Sequence, residues 1–277
     1  MSDEQTVTDH YTKGDLLGRL RERLREDGVD PDSPTIEALA PYDQFHGRGM
    51  EATKELADQL QVAAGDHLLD VGSGIGGPAR YLADRFHARV TGIDLTEHFC
   101  EAARHLASRL GLDDRTAFHH GNALAMPFED AIFHGAYSMN VSMNIADKSA
   151  LYGEIFRVLR PGGWLVLSEI AQGPNGQVAF PTPWARTAES SFLVTPEATR
   201  EGLESCGFVV TKLQSTTEKT LEYGARSKAL VEAGQEPLHR AVQLIHGDLA
   251  TEASANTARA AREGRTIPIE VFCTKPA

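Results

Sequence analysis

The residues best able to organise chemistry are one octapeptide and one distant acid. In DVGSGIGG at 70–77, Asp70 precedes a turn containing Gly72, Gly74, Gly76 and Gly77, and Pro78 follows. Glycines in such a turn allow sharp bends and bring the main chain close to a ligand, and a proline in the first helical turn loses no hydrogen bond. Twenty residues beyond Gly74 stands Asp94, closing an apolar run, where a carboxylate can accept bonds from ribose hydroxyls. A glycine-rich turn with a distal acid suits NAD, FAD or S-adenosylmethionine. Gly72, Gly74 and Gly77 also satisfy the dinucleotide spacing G-x-G-x-x-G, so the turn alone leaves all three open.

Positioning such a turn requires a strand before it and a helix after it. HLLDV at 67–71 reads as that strand, and further strands are expected at 88–94, 116–121, 133–138, 164–170, 208–214 and 267–275. Helical spacing separates most of them, which predicts an α/β fold with a doubly wound, mostly parallel seven-stranded sheet and helices on both faces. The final strand is expected to close the sheet as an antiparallel edge. Leu16, Leu17, Leu20 and Leu24 predict an N-terminal helix, and a second is expected from about 48 to 60. Residues 1–60 thus read as a helical lid and 61–277 as the main domain. Insertions at 172–196 and 215–265 are placed to cap the carboxyl ends of the strands, where open α/β sheets bind ligands.

Composition narrows the partners. The chain has 277 residues, 39 acidic against 27 basic and a formal charge of −12, so its field repels phosphate backbones and anionic lipid surfaces. Neither nucleic acid nor membrane is expected as a partner. Cys100, Cys206 and Cys273 lie far apart without metal-ligand spacing, and no metal site is expected. The acidic, polar start and the sparse cysteines predict a cytoplasmic protein.

Asp70 before the turn, GNALAMPF at 121–128 and LRPGG at 159–163 decide between the nucleotides. Together they resemble a class I S-adenosylmethionine-dependent methyltransferase, over about 42–213, which implies a Rossmann-like methyltransferase fold. LAPYDQFHGRGMEATKELA at 39–57, MNIADK at 143–148 and FPTPWA at 180–185 are similar to the sarcosine/dimethylglycine N-methyltransferases, with the phosphoethanolamine methyltransferases more distant. The resemblance implies that the backbone of Gly72, Ser73, Gly74 and Gly76 approaches the methionyl part of the cofactor, and that Asp94 holds its ribose. It places Leu95, Asn122 and Ala123 around the adenine and counts Met139 among the cofactor contacts. Asn122 stands where the family usually has Asp, and an amide oxygen still accepts a bond from an amino group.

Methyl transfer from a sulfonium needs alignment of donor and nucleophile more than a strong base. Candidates for catalysis are His46, as a proton acceptor, with Asn140 and Asn144 after the fourth strand; relatives often carry His at one of these Asn positions. Candidates for substrate binding are Tyr11 by analogy with a lid, Gln44, Arg48 for a carboxylate and Trp184 for a cationic group. The expected function is N-methylation of a small-molecule acceptor such as sarcosine or dimethylglycine. Two further readings are C- or O-methylation of a larger apolar or quinone-like molecule, and a non-catalytic cofactor-binding relative. A homodimer is compatible with any of them.

Overall fold

Successive residues of a strand point to opposite faces, and the first strand sets up both halves of the core. In β1 (His67–Val71), Leu68 packs with Val90, Leu82 and Tyr137, while Leu69 packs with Leu165, Leu167 and Tyr152 beyond the other face. The computed structural model describes residues 15–277, so Tyr11 lies outside the described residues. Among the described residues three helices precede β1: α1 (Leu16–Glu26), α2 (Ile36–Asp43) and α3 (Gly49–Asp58). There follow α4 (Gly77–Phe86), β2 (Arg89–Asp94), α5 (Glu97–Arg109), β3 (Thr116–His120), β4 (Phe133–Met139), α6 (Lys148–Val158) and β5 (Leu159–Gln172). The chain continues through α7 (Pro196–Ser205), β6 (Val209–Ser215), α8 (Thr217–Glu232), α9 (Ala241–His246), α10 (Ala250–Arg262) and β7 (Thr266–Thr274).

The seven strands lie in the order β3-β2-β1-β4-β5-β7-β6. Strands β1 to β5 pair in parallel, and β7 runs antiparallel to both β5 and β6. The sequence reading put the last strand at an edge; the structure puts it inside and gives the edge to β6. Both strands read alike as short apolar runs, but β7 buries Ile269, Glu270 and Val271 whereas β6 is mostly exposed and carries Lys212, a residue that discourages edge pairing. LRPGG, which precedes the strand expected at 164–170, belongs to that strand. It opens β5, with Gly162 at φ +76° and a register shift opposite Phe133 and Gly135.

Sequence spacing assigned no element to 36–43, a stretch that contains Pro41. Helix α2 forms there nonetheless, its start capped by the Thr35 hydroxyl, which accepts the Ala38 N–H at 3.2 Å. Leu16, Leu20 and Leu24 of α1 pack with Leu39 and Tyr42 of α2, with Phe99 and Leu106 of α5, and with Leu244 of α9. The N-terminal helices are thereby seated on the sheet domain. Strand order reverses at β1 and β4, so their carboxyl ends splay and leave a crevice, and the glycine turn and Asn140 stand at its two sides.

Candidate functional site: two adjoining chambers

The turn after β1 holds Gly72, Gly74 and Gly76 at φ of +74°, +52° and +79°. A Cβ on Gly72 would lie 2.3 Å from Val141 Cγ2, and one on Gly74 would lie 3.0 Å from Phe45 Cδ2. Only glycine fits both the backbone angle and the space, and the main chain is left bare along the wall of a cavity of about 240 Å³. Gly76 does not line this cavity. It is needed one residue deeper, where a Cβ would strike the Phe118 ring at 2.5 Å.

Two carboxylates border the cavity. Asp94 accepts the N–H of Gly74 at 2.8 Å and of Thr96 at 2.9 Å, one on each oxygen, which leaves a further acceptor position on both. Burial raises its pKa, opposed by those two N–H groups. Asp70 Oδ2 and Ser73 Oγ are buried with no hydrogen-bond partner among the described residues. Burial pushes the Asp70 carboxyl up to about 7, the neighbouring Tyr137 hydroxyl opposing the shift and Asp94 adding to it. Buried polar atoms of this kind are costly unless something completes them. Leu95, Asn122, Ala123 and Met139 line the same cavity, with Asn122 Oδ1 already accepting the Leu124 N–H at 2.8 Å. A glycine cradle, an orphaned carboxylate for an ammonium, a carboxylate with open acceptor positions and an apolar slot fit S-adenosylmethionine part by part.

A second cavity of about 590 Å³ adjoins the first, and Phe45, His46 and Asn140 border both. Asn140 sits at φ +60°, a conformation asparagine tolerates, with its N–H donated to Ser168 O at 2.8 Å. His46 is buried, with Nδ1 3.1 Å from Gly47 O and Nε2 3.0 Å from the Thr53 hydroxyl. The Gly47 carbonyl can only accept, so the neutral ring carries its proton on Nδ1. Burial pulls its pKa down to about 3, so it is neutral at physiological pH.

The other expected residues are distributed less evenly. Arg48 lines the second chamber, but its guanidinium is buried against Glu55 at 2.9 Å and Glu270 at 3.6 Å. Trp184 also lines it, packed against Met143 and Ala260, with its indole N–H donated to Ser191 Oγ at 2.9 Å. Asn144 borders the first cavity and donates to Trp184 O at 2.6 Å, which ties the 172–196 insertion to the loop after β4. Gln44 lines neither cavity; it is fully buried, its amide donated to Asp43 Oδ1 at 2.8 Å and its carbonyl accepting the Thr53 hydroxyl at 2.6 Å.

Two residues the sequence reading passed over shape the site. Glu169 of β5 is buried and accepts the Ser142 N–H at 3.2 Å and the Val141 N–H at 3.3 Å, holding the loop that carries Asn140. Burial pushes its carboxyl up to about 7, with those backbone N–H groups pulling the other way. Lys148 Nζ donates to the carbonyls of Ser142, Ile145 and Phe192, at 2.5, 2.5 and 2.8 Å, and so pins the insertion to the same loop. A lone acid inside the apolar run WLVLSEI was the available signal for Glu169; nothing local marked Lys148.

Comparison with known proteins agrees with this geometry. Residues 69–167 match the family described as Methyltransferase domain. The fold is the Rossmann-like methyltransferase fold. Geranyl diphosphate C-methyltransferase from Streptomyces coelicolor A3(2) superposes with a TM-score of 0.71 at 19% identity, covering 99% of this chain and 98% of that one. In sequence, the methyltransferase-domain region resembles 24-methylenesterol C-methyltransferase 2 of Oryza sativa subsp. japonica, 44% identical over 123 residues, which is 43% of this chain and 34% of the relative. Methyltransferase GfsG of Streptomyces halstedii is 32% identical over 178 residues, 61% of this chain and 62% of that protein. The chain thus spans about a third of the length of the sterol enzyme in the aligned part, and under two thirds of GfsG. Among the described residues no helix is long and apolar enough to cross a membrane.

Proposed function

We propose that the protein is an S-adenosylmethionine-dependent methyltransferase acting on a medium-sized, predominantly apolar small molecule, at carbon or oxygen. The observation that carries this reading is the pair of chambers meeting at His46 and Asn140, the smaller fitted to the donor and the larger, about 590 Å³, open to the acceptor. A volume of that order suits a drug-sized ligand and far exceeds a glycine derivative. Arg48, the residue that would select a small amino acid by its carboxylate, is already committed to Glu55 and Glu270. The names of the similar proteins, a sterol C-methyltransferase and a geranyl diphosphate C-methyltransferase, support an apolar acceptor methylated at carbon.

In this reading Asp70 with the backbone of Gly72, Ser73 and Gly74 holds the amino-acid end of the donor, Asp94 its ribose, and Leu95, Asn122, Ala123 and Met139 its base. S-adenosylmethionine supplies a methyl group already activated by its sulfonium. The protein contributes alignment across the junction and exclusion of water; holding two reactants in line is worth on the order of 7 kcal/mol or more. Asn140 and neutral His46 border the path between the chambers and orient the acceptor. Trp184, and Tyr223 of α8, offer aromatic faces on the acceptor side, which favour positive charge developing there.

The test is calorimetric titration of S-adenosylmethionine and S-adenosylhomocysteine, followed by a product-release screen over terpenoid, sterol-like, phenolic and amino-acid acceptors. Cofactor binding with turnover on a bulky apolar acceptor is expected. Turnover confined to sarcosine or dimethylglycine would return the reading to small-amine N-methylation, and failure of both cofactors to bind would remove it altogether.

A further inference from the structure

The acceptor chamber is largely apolar inside, and its exposed charged lining residues are of one sign. Met143, Ile170, Trp184, Leu221, Val242 and Ile245 supply apolar lining. Among the buried lining groups, Arg48 is paired with Glu270 and with Glu55, which Lys219 also meets, Glu169 is bound to the N–H groups of Val141 and Ser142, and burial holds His46 and His239 toward their neutral forms. Two charged lining residues remain exposed, Lys228 of α8 and Arg262 of α10, and both are cations. The Arg262 side chain makes no ion pair or hydrogen bond with any described residue. Lys228 makes only an exposed i,i+4 contact with Glu232 at 3.0 Å, a kind of pair worth little in water. In a chain of net charge −12, a binding mouth whose exposed charges are both positive is a local reversal of sign.

Resting on the methyltransferase reading, we propose that the acceptor is amphipathic, with an apolar body inside the chamber and an anionic group held at the mouth between Lys228 and Arg262. The two cations sit on α8 and α10, which pack against each other beside the chamber. A guanidinium and an ammonium recognise a carboxylate and a phosphate alike. Specificity for the anionic end is then separate from the chemistry at His46 and Asn140, which border the donor cavity as well as the chamber.

The experiment is calorimetry on the full chain saturated with S-adenosylhomocysteine, using decanoate, decyl phosphate, 1-decanol and decyltrimethylammonium below their micelle concentrations. At least one of the two anions should bind about tenfold or more tighter than the alcohol, and the cation more weakly than either. The preferred anion tells carboxylate from phosphate. High salt and the double substitution Lys228→Gln/Arg262→Gln should both erase the preference while S-adenosylhomocysteine affinity stays unchanged. Equal binding of anion and alcohol, or tighter binding of the cation, would overturn the proposal and reduce Lys228 and Arg262 to ordinary surface charges. Failure of S-adenosylhomocysteine to bind would instead sink the methyltransferase reading, so the two outcomes separate.

Discussion

Arg80 of α4 and Asp43 at the end of α2 form a fully buried ion pair, Nη2 to Oδ2 at 2.8 Å, that joins the N-terminal helices to the helix following the glycine turn. Arg80 Nη1 also donates to Ile75 O, inside the turn itself, at 2.6 Å. Donor-site geometry and the seating of the N-terminal segment therefore depend on one guanidinium.

Removing half of a buried pair strands the other charge. Arg80→Leu should lower unfolding free energy by about 3–5 kcal/mol. The double variant Arg80→Leu/Asp43→Leu should recover part of that loss, because neither charge is then left unpaired. Urea denaturation of the two variants measures this, and an equal or larger loss in the double would show that the pair is not the reason for the instability.

Asp94 touches the chain through Gly74 and Thr96 and faces the donor cavity. Asp94→Ala should weaken S-adenosylhomocysteine binding by roughly 1–3 kcal/mol, the range for stranded polar partners. Calorimetry reads it directly, and unchanged affinity would contradict the assigned ribose contact.

Asp70 makes stability depend on pH in a direction opposite to that of an ordinary paired carboxylate. Its folded value of about 7 stands well above the usual range near 3.9 for an unstructured chain. Between those values the folded protein keeps a proton that the unfolded chain has released, so the Asp70 contribution is complete below about pH 4 and lost by about pH 7. His46, depressed to about 3, acts with the other sign: its contribution rises with pH up to about 6.5. Asp70→Asn removes only the first effect. Between pH 5 and 8 the variant should gain stability relative to the wild type by on the order of 2 kcal/mol. A difference that stays flat across that range would mean that Asp70 is ionised throughout.

Glycine 72 and glycine 65 separate strain from space. Both have positive φ, +74° and +84°, but a Cβ meets Val141 at 2.3 Å in the first case and nothing within 4 Å in the second. Gly65→Ala should cost about 1–2 kcal/mol for its backbone alone. Gly72→Ala should cost more and also abolish S-adenosylhomocysteine binding, since Val141 must move into the donor cavity. Thermal unfolding with calorimetry distinguishes the two, and equal costs with intact binding would refute the cradle.

The glycine turn, Asp94 and the parallel strands were legible in the sequence because each is written locally: a backbone angle that only glycine adopts freely, a strand-end acid, an alternation of apolar runs with helical ones. Leu95, Asn122 and Ala123 were named only through the resemblance to methyltransferases; in the structure all three line the cavity beside the glycine turn. The place of β7 inside the sheet was not legible, because interior and edge strands differ by what flanks them in space and β7 is flanked by segments more than fifty residues upstream in the chain.

By itself the sequence determined the donor side of this protein: the turn, the acid that faces it and the sheet that carries both, all set by short-range sterics and patterning. Only the tertiary structure decided the second chamber. Arg48 looks free in sequence and is spent on Glu55 and Glu270; Gln44 looks like a ligand and is sealed beneath the site; Glu169 and Lys148 look ordinary and hold the loop between the chambers. The physical reason is that the acceptor chamber is walled by elements from 45 to 268, and the size, charge balance and mouth of such a space are properties of packing that no single segment encodes.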